Sequence, residues 1–317
     1  MKILITGAAG FIGFHLAKSF LEDGNEVTGL DEINDYYSIN LKKQRLIYLQ
    51  KYQKFDFFKL SLDEINSLKQ EFDLVIHLAA QAGIRIKGSK VSNYKRSNID
   101  GFHSMLNYIT SHNIKNFIFA SSSSVYGSSN NIPFKEDDNQ MQPLSTYAET
   151  KILNEKEVTK LHNYYQFNSA GLRFFTVYGR FGRPDMAYYK FTKKIDNYEP
   201  IVLFNDGDMS RDMTHIDDII KGIKSCSEYI CEQKLGLNEI FNLGNDKPIK
   251  TNYLVNFISS ALKKDAEIIN RYSSIEVKNT HASIEKSKLI LNYKPKINFN
   301  DGMLDFINWY NFNKSFK

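Results

Sequence analysis

The spacing of Tyr147 and Lys151 puts a phenol and an ammonium one helical turn apart on one face. Such a pair makes a tunable proton acceptor, because a nearby cation favours phenolate and draws the tyrosine towards the working pH. Tyr-x-x-x-Lys recurs at Tyr189/Lys193 and Tyr310/Lys314. With 19 tyrosines and lysine at about one position in ten, about two such pairs arise by chance. Spacing alone therefore selects nothing; position does. Only Tyr147/Lys151 follows a run of hydroxyls, Ser121-Ser122-Ser123-Ser124-Val125-Tyr126-Gly127, at the end of a predicted strand. Ligands of open α/β sheets bind outside the carboxyl ends of strands. Ser122, 25 residues before the tyrosine, is thus placed to share the proton of a substrate hydroxyl.

A second pattern, Thr6-Gly7-Ala8-Ala9-Gly10-Phe11-Ile12-Gly13, leaves one predicted strand and opens a predicted helix. Glycines at 7, 10 and 13 permit a tight turn, close approach of backbone to a pyrophosphate, and close packing of helix on strand. Phe11 and Ile12 begin the helix whose unpaired N–H groups would face that phosphate. A glycine pattern is a weak signal by itself, and its context strengthens it. The second strand ends at Asp31, 21 residues after Gly10, where a carboxylate can accept from both ribose hydroxyls. The same charge repels a 2′-phosphate, and no arginine follows directly to capture one. NAD rather than NADP is the expected cofactor.

Alternating elements must hold these residues. Short apolar, β-branched runs at 2–6, 26–30, 56–59, 74–78 and 117–121 read as strands. Helical periodicity lies between them at 11–21, 41–50, 62–70 and 93–111. A helix at 146–164 and a strand at 170–175 follow. This rhythm predicts an α/β fold with a parallel sheet covered on both faces. Beyond it the elements are shorter: helices near 187–195, 217–229, 252–262 and 301–311, and strands at 201–204 and 240–243. The predicted division is 1–172 for the cofactor and 173–317 for the substrate, with some later segments returning to the first domain.

The chain has 317 residues, 42% hydrophobic and 24% charged, which is ordinary globular composition and excludes a disordered or collagenous protein. Its 41 basic and 36 acidic side chains are interspersed, so the net +5 forms no stripe for nucleic acid. No run approaches the roughly 18 apolar residues of a membrane span, and the first residues are too short an apolar run for a signal peptide. Cys226 and Cys231, without a histidine nearby, read as core thiols of a reduced, cytoplasmic protein and predict no metal.

Together these features resemble the extended short-chain dehydrogenase/reductases, and among them the nucleotide-sugar 4-epimerases, above all those acting on UDP-glucuronate. The resemblance runs from Lys2 to about Leu243. It is carried by Asn34-Asp35-Tyr36-Tyr37, His77-Leu78-Ala79-Ala80-Gln81-Ala82-Gly83-Ile84-Arg85, Leu172-Arg173-Phe174-Phe175-Thr176-Val177-Tyr178-Gly179, Gly182-Arg183-Pro184-Asp185-Met186-Ala187 and Asn205-Asp206-Gly207-Asp208-Met209-Ser210-Arg211-Asp212. It implies a Rossmann-type doubly wound sheet with a smaller C-terminal substrate-binding α/β domain, and NAD-dependent C4 epimerisation through a transient 4-keto sugar. Tyr147 would take the 4-hydroxyl proton, Lys151 hold the ribose and tune Tyr147, and Ser122 orient the 4-oxygen. Leu78, Ala79, Ala80 and Gln81 would line the cofactor. Arg85, Ser122, Ser123, Thr176, Arg183 and Arg211 would meet the substrate, with Thr176 and Arg183 on the sugar carboxylate and Arg211 on the diphosphate. Asn242 lies in a loop typical of the family. Relatives that dehydrate usually carry Asp-Glu where Ser123-Ser124 stands, which argues against dehydration.

The chain departs from the family at Arg180-Phe181 (usually Pro-Trp), Met213 and His215 (usually aromatic), Ser61 (usually Asp) and Ser274-Ile275-Glu276 (usually Pro-Gly-Asp). These positions leave open a C4 epimerase of another nucleotide sugar, such as a GDP-linked heptose, or a reductase of a 4-keto sugar. The presence of both Tyr147 and Lys151 argues against an NAD-binding scaffold. The resemblance also implies a surface-polysaccharide pathway and a homodimer built from helices 93–111 and 146–164; the sequence's own hint of that contact is Tyr108 and Tyr164, read as exposed aromatics unless they are core.

Overall fold

The computed structural model describes residues 1–83, 91–138, 141–273 and 277–313. Among them are twelve strands: β1 (Lys2–Thr6), β2 (Glu26–Leu30), β3 (Phe55–Phe58), β4 (Leu74–His77), β5 (Asn116–Ser122), β6 (Asn168–Phe174), β7 (Thr176–Tyr178), β8 (Ile201–Phe204), β9 (Ser210–His215), β10 (Asn238–Leu243), β11 (Pro248–Lys250) and β12 (Ile268–Arg271). Seven form one sheet in the order β10-β6-β5-β4-β1-β2-β3, with every pairing parallel. The strand order reverses between β1 and β4, which is where open α/β sheets bind ligands. β1 aligns Thr6 with His77 of β4, and β5 aligns Ser122 with Phe174 of β6.

Both faces of this sheet are covered, as the alternation predicts. Ile3 and Ile5 of β1 join a core with Phe14, Phe20, Ile219 and Ile223 from the helices Phe11–Glu22 and Ile216–Glu232. Leu4, between them in sequence, joins Val75, Phe102 and Ile109 on the other face, under the helix Gly101–Ser111. The period of two is the physical reason: successive side chains leave opposite faces. A third core joins Tyr178, Tyr188, Met213, Phe306 and Trp309 beside the small sheet β11-β9-β7.

Several regions differ from the sequence expectation. The segment 62–70 is a short 3-10 turn, Leu62–Ser67, because Leu62, Ile65 and Leu68 are buried at intervals of three, the period of that turn. The helix expected at 93–111 is continuous but contains a π turn at Lys95–Asp100. Strands β7, β9, β11 and β12 and the helix Glu285–Leu291 were not anticipated. β9 is polar in sequence, and its Asp212 is fully buried because its carboxylate accepts the backbone N–H groups of Asn245 (2.6 Å), Asp246 (3.1 Å) and Ala282 (2.9 Å). Among the described residues, no helix is long and apolar enough to cross a membrane.

Candidate active site

The glycine loop closes tightly on the sheet. The Gly7 N–H donates to the Leu30 carbonyl at 2.7 Å, and the Gly10 N–H to the Gly7 carbonyl at 2.9 Å. Gly7 has φ +74°, and a Cβ there would stand 2.9 Å from the backbone nitrogen of Ala79. A Cβ on Gly13 would stand 2.1 Å from the Gly7 carbonyl oxygen, so the helix can start this close to the strand only with glycine. Asp31 is buried, and each of its oxygens accepts one backbone N–H, from Ala9 (3.1 Å) and from Ile33 (2.8 Å). The carboxylate is thereby aimed and keeps lone pairs for a diol. Burial pushes its pKa up, and the charges of Lys42 and Arg45 work against that rise. These residues fit a dinucleotide: a cradle that only glycines permit, with a fixed acid at its ribose end.

On the next strand, Thr6 Oγ1 meets His77 Nδ1 at 2.8 Å and accepts the Ala79 N–H at 3.2 Å, which fixes the turn after β4. Asn98, in the π turn, accepts the Gln81 N–H (2.7 Å) and donates to the Gln81 carbonyl (3.1 Å) and to Thr150 (3.1 Å). One buried amide thus clamps the 78–81 segment to the helix that bears Tyr147. No spacing in the sequence singled Asn98 out; the only signal is a turn that widens to face it.

The helix Thr146–His162 starts with Ser145, whose hydroxyl accepts the Ala148 N–H, and carries Tyr147 in its first turn. Burial raises the Tyr147 pKa, while the positive charge of Arg183 and a hydrogen bond with Ser122 pull it back. Lys151 is 2% exposed and donates to the Ala120 carbonyl at 2.7 Å, with its Nζ 5.8 Å from the centre of the Tyr147 ring. Burial lowers the lysine to about 8, against the raising charge of Glu155. Below the site, Arg173 grips Glu155 at 2.9 and 2.8 Å, and Ser121 donates to the same carboxylate at 2.5 Å. That pair ties β5, β6 and the Tyr147 helix together at the sheet's carboxyl edge. The other Tyr-x-x-x-Lys pairs are elsewhere: Tyr189 and Tyr310 lie in the third core, and Lys314 is outside the described residues.

A cavity of about 1000 Å³ runs from the glycine loop past Tyr147 to residues that follow β6 in the chain. Gly7, Gly10, Phe11, Ile12, Gly13, Asp31 and the 78–81 segment line one end, and Ser122, Ser123, Tyr147 and Lys151 the middle. Thr176, Arg183, Arg211 and Met213 line the far side. Arg183 is held by Asp185, at 3.0 Å from Nε and 2.5 Å from Nη2. Arg211 donates to the Ser210 carbonyl at 2.9 Å. Arg85 and the 274–276 segment lie outside the described residues.

Of the described departures, Ser61 and Met213 line this cavity, whereas Arg180, Phe181 and His215 do not. Arg180 pairs with Asp217 and Asp305 at 3.0 Å each, and Phe181 packs on Phe14 and Trp309. His215 is 2% exposed, set edge-on to Tyr178 and 3.3 Å from Asp305, so it is a packing residue. Tyr108, expected on the surface, is fully buried: it stacks on His112 and belongs to the core beneath the sheet, while Tyr164 is exposed. Cys226 is core and Cys231 half-buried.

The profile of the NAD dependent epimerase/dehydratase family matches residues 3–244. The chain is 40% identical to Protein CapI of Staphylococcus aureus over 331 residues, covering 98% of each. It is 38% identical to a UDP-glucuronate 4-epimerase of Thermodesulfobacterium geofontis, covering 96% of this chain and 95% of that one. Its fold superposes with TM-score 0.89 on the crystal structure of UDP-glucuronic acid 4-epimerase from Bacillus cereus in complex with UDP-glucuronic acid and NAD, at 31% identity over 98% of this chain and 99% of that one.

Proposed function

The chain belongs to the NAD dependent epimerase/dehydratase family, and we propose that it interconverts UDP-glucuronate and UDP-galacturonate at C4. The observation that carries this reading is the single cavity that joins the glycine cradle, Tyr147 with Ser122, and Arg183. NAD held against Gly7, Gly10, Gly13 and Asp31 supplies a reversible hydride acceptor. Tyr147 takes the proton of the sugar 4-hydroxyl, and Ser122, which lines the same cavity, holds the 4-oxygen. Lys151, anchored on Ala120, keeps a positive charge near the phenol and reaches the ribose. Arg183 and Thr176 face the sugar carboxylate, and Arg211 the diphosphate, because a guanidinium suits both anions. The 4-keto sugar would turn over, so that the hydride lost from C4 would return to its opposite face as Tyr147 gives back the proton, leaving no net oxidation. The division of labour is 1–172 for cofactor and 173–317 for sugar, with β10 lying beside β6 in the large sheet. The working unit is a homodimer that joins the helices Gly101–Ser111 and Thr146–His162 to their symmetry mates, in the cytoplasm and in a polysaccharide pathway.

The test is to incubate purified protein with UDP-glucuronate and follow UDP-galacturonate by NMR, then denature the protein and identify the released dinucleotide. Conversion without added cofactor, with NAD released at near one per chain, supports the proposal. Consumption of added NADH in step with a 4-keto sugar would establish a reductase instead, and turnover of another nucleotide sugar alone would replace the substrate.

A further inference from the structure

The turn that carries Arg183 also carries a carboxylate for it. Asp185 occupies the Nε–Nη2 edge of the guanidinium, and Tyr36, from the loop after the ribose acid, donates its phenol to Asp185 Oδ2 at 3.1 Å. The Arg183 guanidinium carbon stands 5.9 Å from the centre of the Tyr36 ring. Each charged side chain is only 23% exposed, and both line the cavity with Tyr147 and Ser122. Among the described residues, nothing accepts from Arg183 Nη1. Burial would raise the Asp185 pKa, yet the Arg183 charge brings it below the ordinary carboxylate value, so the pair is ionic.

A sugar carboxylate therefore meets a guanidinium that already has a partner. It can use Nη1 and the outer N–H of Nη2, but it shares the cation with a second carboxylate. We propose that Asp185, held by Tyr36, is the resident counter-ion of Arg183 and sets how tightly the site holds an anionic sugar. Asp185 is a positioning residue, acting through Arg183. The inference rests on the carboxylate reading of Arg183 given above and adds a physical reason for the pair. A sugar that turns over between two half-reactions cannot keep one carboxylate geometry, and a partly buried arginine left unpaired is costly. A resident carboxylate keeps Arg183 paired while the sugar moves, and it weakens the grip that would hold the sugar still.

The test measures binding and turnover of UDP-glucuronate and UDP-glucose with NAD-loaded wild type, Asp185→Asn and Tyr36→Phe. Removing one like charge at close range in a partly buried site should tighten UDP-glucuronate roughly tenfold in Asp185→Asn, with UDP-glucose nearly unchanged. The kcat for UDP-glucuronate should fall together with its KM. Tyr36→Phe keeps every charge and should shift the same ratio in the same direction by less, and it carries the test if Asp185→Asn does not fold. Equal weakening of both sugars, or an unchanged ratio in a wild type that prefers UDP-glucuronate, overturns the counter-ion role and leaves the carboxylate reading intact. A wild type that holds the two sugars alike, with Arg183→Leu changing nothing, overturns the carboxylate reading and the counter-ion with it.

Discussion

The Lys151 ammonium donates to the carbonyl of Ala120 at 2.7 Å. Ala120 lies in β5 two residues before Ser122, so the bond ties the lysine to the same strand end that holds the serine. The cation is thus fixed by backbone, and its distance from the Tyr147 ring does not depend on a mobile side chain. Arg183, after β7, adds a second positive charge that acts on the phenol.

Tyr147→Phe removes the proton acceptor and almost no volume. Turnover should fall by roughly 10²–10⁴-fold, the usual worth of a positioned acid–base group. NAD released on denaturation should be undiminished. Retention of most of the kcat would show that another group is the base.

Arg183→Leu should lower kcat/KM for UDP-glucuronate by roughly 30-fold or more, the low end for breaking a closed charge pair. Neutral UDP-hexoses should lose far less. A folding defect would affect both sugars alike, so the ratio between them isolates recognition of the carboxylate.

Acid should destabilise the fold in a defined window. Burial, helped by the Lys151 charge, lowers the His77 pKa from 6.5 to about 3. Between those values the unfolded chain takes up a proton that the folded chain refuses. Stability should therefore fall as pH drops through 6.5, with the loss complete below about 3. Urea midpoints for wild type and His77→Gln, measured from pH 7 to pH 4, should converge on acidification. Parallel curves would rule this histidine out as the cause.

The homodimer should appear in sedimentation at micromolar concentration. Tyr164 is 78% exposed just past the end of one proposed interface helix, and Glu157 on that helix lies 3.9 Å from His103 on the other. A charge placed on this face, as in Tyr164→Glu, should weaken association without lowering the thermal midpoint at dilution. A monomeric wild type would refute the assembly.

The sequence alone determined what local spacing can encode. Alternation of short apolar runs with helical periodicity predicted a parallel sheet covered on two faces, and Ile3 and Ile5 pack on one face of it and Leu4 on the other. The Gly7–Gly13 loop and Asp31 were legible because a tight turn and a strand length place them directly. Tyr147 was separated from Tyr189 and Tyr310 by the hydroxyl run before it. Other relationships, around the cavity and in the layers beneath it, have no period to record them. Tyr36 reaches Asp185 across 149 residues, Asn98 finds Gln81 only because a helix widens by one residue in its turn, and Tyr108 is buried by a neighbouring layer. Asp212 makes β9 a buried strand by collecting N–H groups from two distant loops. Hydrogen bonds and ion pairs of this kind depend on strand register and loop closure, so tertiary structure alone decides whether Arg183 meets the cavity unaccompanied or with a carboxylate already on it.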